Sequence, residues 1–141
     1  MYSLKDIAMI TGLTDRTLRN YLSAGILIGE KDQGTWRFTE EQIQKFVEHE
    51  YVRPAIETKR NAIIFDYLKS DSSKENTACI ILRLREEKSR NVSDFFCKAV
   101  CKRKGLRMTF DVNKGENKVI LVGDESTVYD VLAEYHSLKN V

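Results

Sequence analysis

The sequence predicts an α+β protein: an N-terminal winged helix-turn-helix domain over residues 1–52, a connecting helix and polar linker over 53–76, and a small β-α-β-β-α domain over 77–141. Three observations predict it. Ala8, Gly12 and Leu18 stand at the spacing of a helix-turn-helix. There a small residue lets the second helix cross close by, a glycine takes the left-handed corner, and an apolar residue returns to the shared core. Gly34-Thr35-Trp36-Arg37-Phe38 follows as a wing, and Leu106, Met108, Phe110 and Val112 alternate with polar neighbours as a strand.

Each element has a local cause. Ser3 is an N-cap with Asp6 three residues later, a variant of the capping box, and Leu4, Ile7 and Ala8 form one apolar face up to Thr11. Thr14 caps a second helix over 14–24, which Gly25 ends. Ile26, Leu27 and Ile28 read as a short buried strand, and the wing spans 29–38, with Glu30 to Gly34 as its turn and Thr35 to Phe38 as the return strand. Thr39 caps a third helix whose first turn carries Glu40, Glu41 and Gln42, where the dipole favours acid, and whose apolar side is Ile43, Phe46 and Val47. Pro54, the only proline, fits the first turn of a helix to about Leu68.

The wholly polar stretch from Ser70 to Asn76 reads as a linker. Beyond it, Ala78, Ile80, Leu82 and Leu84 share one face of a strand from Thr77 to Arg85, Ser93 caps a helix to about Lys104, and Asn113 to Asn117 turns the next strand into Lys118–Val122. Val128, Val131, Leu132, Tyr135 and Leu138 stripe a last helix.

Composition narrows the function. With 42% hydrophobic and 31% charged residues among 141, disorder and membrane insertion are poor descriptions. No apolar run nears the roughly 20 residues that span a bilayer, and the charged start lacks a secretory signal, so a cytoplasmic location is expected. Cys79, Cys97 and Cys101 are an odd set without framework spacing and read as reduced thiols. Neither a P-loop, a nucleophile–base pair, HExxH nor a dinucleotide turn occurs, so neither an enzyme nor a cofactor is expected. Net charge is +2, and residues 1–60 hold nine basic and nine acidic side chains. Any nucleic-acid contact must therefore come from local clustering rather than overall charge.

The second helix supplies such a cluster. Leu18 and Leu22 face the core, while Asp15, Arg16, Arg19, Asn20 and Ser23 recur on the opposite side. Two guanidinium forks and an amide on one face suit guanine and adenine edges in a major groove. Lys31 and Arg37 flank the wing, in reach of phosphates or the minor groove. Tyr21 reads either as a core tyrosine or a phosphate donor, and Trp36 as wing packing or a sugar contact.

These residues resemble the MerR family of winged helix-turn-helix transcription regulators. The likeness runs through Met1-Tyr2, Asp6-Ile7-Ala8, Thr11 to Thr14, Arg16-Thr17-Leu18-Arg19, Tyr21, Gly25, Leu27, the wing from Gly34 to Arg37, and Thr39-Glu40-Glu41. It covers about the first 50 residues. It implies that Arg16, Thr17, Arg19, Tyr21 and Arg37 touch double-stranded DNA; Thr14, Asn20, Lys31 and Trp36 complete the candidate set. Asn20 and Leu22 replace the aromatic and acid usual around that tyrosine, and Trp36 stands where the wing tyrosine is expected. Family members typically dimerise through a long antiparallel helix, for which Pro54–Leu68 is short.

A homodimer is expected, because one neutral winged helix has few phosphate contacts. Residues 77–141 are expected to dimerise, bind a small-molecule effector or engage a protein partner. The competing functions are an architectural DNA-binding protein and a winged-helix interaction adaptor. Cys97 and Cys101, at i and i+4 with Cys79 on a strand, read as core packing, with a metal or redox site as the alternative. Lys98, Lys102, Arg103, Lys104 and Arg107 read as a solvated helix end, with a second phosphate or acidic-partner surface as the alternative.

Overall fold

The computed structural model describes residues 1–70, 75–85, 89–113 and 116–139. It divides into two compact units, Met1–Ala62 and Ile63–Val141. The core of the expected linker, 71–74, and the tip of the second hairpin, 114–115, lie outside the described residues.

In the first unit the capping predicted from sequence sets the helix starts. Helix α1 (Leu4–Thr11) begins at Ser3, whose hydroxyl accepts the Asp6 N–H at 3.1 Å while the Asp6 carboxylate accepts the Ser3 N–H at 2.9 Å. Gly12 ends it in the left-handed region at φ 77, with its N–H donated to the Ala8 carbonyl at 2.9 Å. A side chain would strain that corner. The Thr11 hydroxyl donates to the Ile7 carbonyl at 2.7 Å and accepts the Leu13 N–H at 3.2 Å, so the buried turn leaves few polar groups unpaired.

Helix α2 (Asp15–Ser23) is capped by Thr14, whose hydroxyl accepts the Thr17 N–H at 3.2 Å. Its far end is a Schellman closure: Ile26 N–H reaches the Tyr21 carbonyl at 2.9 Å and Gly25 N–H the Leu22 carbonyl at 3.2 Å, with Gly25 at φ 75. That closure occupies the stretch expected to be a strand. Ile26–Ile28 forms none; Leu27 alone of the three is buried, and Ile28 is 63% exposed. Three β-branched or leucine residues in a row satisfied the strand pattern, but the backbone N–H groups of Ile26 and Leu27 are committed to the helix end.

The wing is a two-stranded hairpin, β1 (Glu30–Asp32) and β2 (Thr35–Arg37). The turn is tighter than expected: Gln33 and Gly34 take φ 52 and 80, the two positive values of a type I′ turn, and Glu30 to Asp32 pair with β2. Beyond β2, Phe38 bridges back to Tyr2, each donating its N–H to the other's carbonyl at 2.8 and 2.9 Å. Phe38 is fully buried beside Gly29, where a Cβ would overlap the Phe38 ring and come within 2.9 Å of the Arg37 carbonyl oxygen. Helix α3 (Glu40–Glu48) starts at a Thr39–Gln42 capping box. Helix α4 (Val52–Lys69) begins two residues before Pro54, whose missing N–H costs nothing in a first turn.

The second unit contains the three-stranded antiparallel sheet β3 (Thr77–Arg85), β4 (Arg107–Asn113) and β5 (Glu116–Asp124), in the order β3-β5-β4. Helices α5 (Ser89–Cys101) and α6 (Glu125–Lys139) complete the predicted β-α-β-β-α order. Val119 and Leu121 lie on one face of β5 and Ile120 on the other, and all three are buried. A central strand closed on both sides reads as a continuous apolar run, which Val119 to Val122 is. Helix α5 starts a turn before the expected cap, and Ser93 is buried inside it. Phe95 and Phe96 lie 5.3 and 5.2 Å from the Tyr135 ring, joining α5 to α6. Among the described residues no helix is long and apolar enough to cross a membrane.

The basic cluster at the end of α5 divides. Arg103 donates to Glu134 at 2.8 Å and to the Ala99 carbonyl at 3.0 Å, whereas Lys98, Lys102, Lys104 and Arg107 are exposed. None of the three cysteines is in a disulfide; Cys97 is buried, Cys101 exposed and Cys79 half-buried. Among the described residues no three His, Cys, Asp or Glu side chains are arranged to hold a metal.

Two outcomes are expected. Gly29→Ala forces a shift against a fully buried ring, which costs about 1–3 kcal/mol, so thermal unfolding by circular dichroism should show a clearly lower Tm. Burial pushes the Cys79 thiol above its ordinary value. A native-state titration with a thiol reagent, read by mass spectrometry, should therefore label Cys101 first, Cys79 more slowly and increasingly at alkaline pH, and Cys97 last.

Candidate nucleic-acid interface

Helix α2 is held by one side and open on the other. Leu18 is fully buried and Tyr21 sets its ring edge-on to Phe46 at 5.6 Å, so these two anchor the helix to the core. Leu22, expected to join Leu18, is half-buried. On the open side, Thr14, Arg16, Arg19 and Asn20 are exposed, with Thr17 half-buried. The Thr14 hydroxyl donates to the Thr17 hydroxyl at 2.9 Å while it caps the helix, so both threonines have a structural task.

The open side has two strips. Arg16 and Asn20 are i and i+4 and stand nearly in line. Asp15 and Arg19 form the adjacent line, joined by an ion pair from Arg19 Nε to Asp15 Oδ2 at 2.7 Å. The two arginines therefore differ: Arg16 has no ion pair among the described residues, whereas Arg19 is held.

The register of the wing sorts its side chains as well. Lys31 pairs with Trp36 and Glu30 with Arg37, so Lys31 and Trp36 share one strand face and Arg37 occupies the other beside an acid. Lys31 Nζ lies 5.3 Å from the centre of the Trp36 ring, a cation–π distance. Trp36 stacks in turn on Phe38, with centroids 6.2 Å apart and an interplanar angle of 20°. A cation is thus mounted on an aromatic stack whose lower ring is core.

The wing and the starts of both helices enclose an open groove of about 400 Å³, lined by Ser3, Leu4, Lys5, Asp15, Arg19, Lys31, Gly34, Thr35 and Trp36. Three cations and one carboxylate meet there. Arg16, Asn20 and Arg37 are not among its lining residues. Lys5 and Asp15 are the charged groove residues that lie outside the candidate set. The i, i+4 spacing of Asp15 and Arg19 is a visible sign of their pairing, but nothing local to Lys5 marks it, since the groove exists only once the wing folds over. With side chains 60% and 63% exposed, the Asp15–Arg19 pair adds well under 1 kcal/mol to stability, so its importance is positional.

Chemically the arrangement sets three cations and one carboxylate beside a strip that can donate and accept hydrogen bonds. Lysine and arginine offer charge to a phosphodiester, and Arg16 and Asn20 carry the fork and amide that match base edges. Residues 2–51 match the model of the MerR HTH family regulatory protein. Neither a curated protein nor a solved structure matches the chain. The matched span takes in both helices, the wing and α3, so this part of the chain is similar to a MerR-type helix-turn-helix domain, whose family is one of DNA-binding transcription regulators.

Proposed function

We propose that the protein is a sequence-specific DNA-binding transcription regulator that works as a dimer in the cytoplasm. Helix α2 enters the major groove, where Arg16 and Asn20 meet base edges and Thr14, Thr17 and Tyr21 approach the backbone. The wing lies on the flank, with Lys31 and Arg37 on phosphates and Trp36 bracing Lys31. The observation that carries this reading is the exposed Arg16–Asn20 strip beside a groove with Lys5, Arg19 and Lys31. It gives an otherwise neutral domain a local positive field, which is what a duplex responds to.

Dimer formation multiplies the phosphate contacts available to each binding event, which a domain with nine acids against nine bases needs. On α4, Phe65 and Leu68 at i and i+3 are 61% and 71% exposed, an apolar stripe of the kind that a second copy covers. Residues 77–141 would carry the effector or protein partner that tunes the regulator.

Replacing Arg16 and Arg19 together by alanine should abolish preference for a selected site while the circular dichroism spectrum and Tm hold. The bidentate base contact of Arg16 accounts for about 1–3 kcal/mol of discrimination, so the selected-to-random affinity ratio should fall at least about fivefold in a gel-shift competition. Undiminished preference would refute α2 as the reading helix. Retention of DNA over broad arrays of unrelated sequence would instead favour an architectural role.

A further inference from the structure

The groove contains a residue that opposes DNA. Asp15 lines the groove with Lys5, Arg19 and Lys31 and is the one carboxylate among its lining residues. It is the first residue of α2, where the dipole and the Thr14 cap already favour a helix start, so folding alone does not require a carboxylate tied to Arg19. The tie is specific. Oδ2 takes the Nε–H at 2.7 Å, and both terminal amino groups of Arg19 make no hydrogen bond among the described residues. The guanidinium is therefore fixed at its inner nitrogen with its outer, two-pronged edge presented.

We propose that Asp15 is the selectivity residue of this interface, resting on the DNA-binding reading above. Two effects act in the same direction. DNA of arbitrary sequence is held through phosphates alone, so a carboxylate that cancels one of the three groove cations weakens that mode in full. At a matched site, Arg16 and Asn20 add base contacts that Asp15 does not oppose. Arg19, biased by its Nε bond to Asp15 toward a rotamer that presents its outer edge, gives up somewhat less rotamer freedom when that edge engages. Affinity is lowered everywhere, but least at the matched sequence.

The test uses the full chain, a site selected by the wild-type protein from random duplexes, and an unrelated duplex of equal length. For Asp15→Asn, affinity for the unrelated duplex should rise about fivefold, the effect of removing one unit charge about 4 Å from another in water-like surroundings. The slope of log K against log salt should steepen by about 0.9, one further counterion released, and the selected-to-unrelated ratio should fall. Asp15→Glu, which keeps the charge, should retain most of that ratio. Asp15→Ser provides the same neutralisation with a good helix-start residue if the asparagine variant folds poorly. An unchanged slope together with an unchanged ratio in the neutral variants overturns the proposal while wild-type binding still supports the DNA reading. Failure of the wild-type protein to bind either duplex removes that reading itself, and this proposal with it.

Discussion

The joint between Tyr2 and Phe38 is the constraint on which the rest of the first unit depends. A two-residue turn and three pairs per strand make a hairpin too small to hold its own position. What fixes it is the reciprocal pair of backbone hydrogen bonds with Tyr2 and the complete burial of the Phe38 ring, into a space that Gly29 leaves open by having no side chain. Because Trp36 is two residues from Phe38, burying one ring places the other on the same strand face, and Lys31 follows through cross-strand pairing. Thus one aromatic seated in the core determines which cation faces α2. The opposite face receives Arg37 and Glu30 by the same geometry.

The electrostatics of the interface follow from this placement and not from composition. Nine positive and nine negative side chains over residues 1–60 would give no field if evenly mixed. Screening at physiological salt restricts each exposed charge to a range of about 8 Å, so only charges gathered into one groove act together. Lys5, Arg19 and Lys31 come from three separate elements and are gathered there, while Glu40 and Glu41 belong to the start of α3, where they complement the helix dipole.

Much of this fold was legible in the residues because its signals are local. Ser3, Thr14 and Thr39 mark helix starts, Gly12 and Gly25 mark ends, and each acts through bonds to residues three or four positions away. The alternation from Leu106 to Val112 required only period two. The misreading of Ile26–Ile28 has the opposite origin: its side chains satisfied a strand pattern while its N–H groups were already used by the α2 terminus. The candidate interface was half legible. Helical spacing identified Arg16, Arg19 and Asn20, but the separate settings of the two arginines depend on Asp15 and on a groove closed by residues of the wing. Periodicity along one element cannot encode that.

This division between local and assembled features also separates stability from recognition. Removing a capping hydroxyl costs about 1 kcal/mol and acts on the fold, whichever molecule is bound. The Asp15–Arg19 pair, exposed to water on both sides, contributes little to folding, yet it determines how one guanidinium is presented. Thr14 couples the two by holding the start of α2, so that the first helical residue, Asp15, and Arg19 one turn later keep a fixed place in the groove. A change at Thr14 would therefore loosen both the helix start and the aim of Arg19, whereas a change at Asp15 would act mainly on the aim and only weakly, through the helix dipole, on the start. The scaffold and the selectivity of this surface are separable, because the residues that fold it and the residues that tune it lie one position apart and make different bonds.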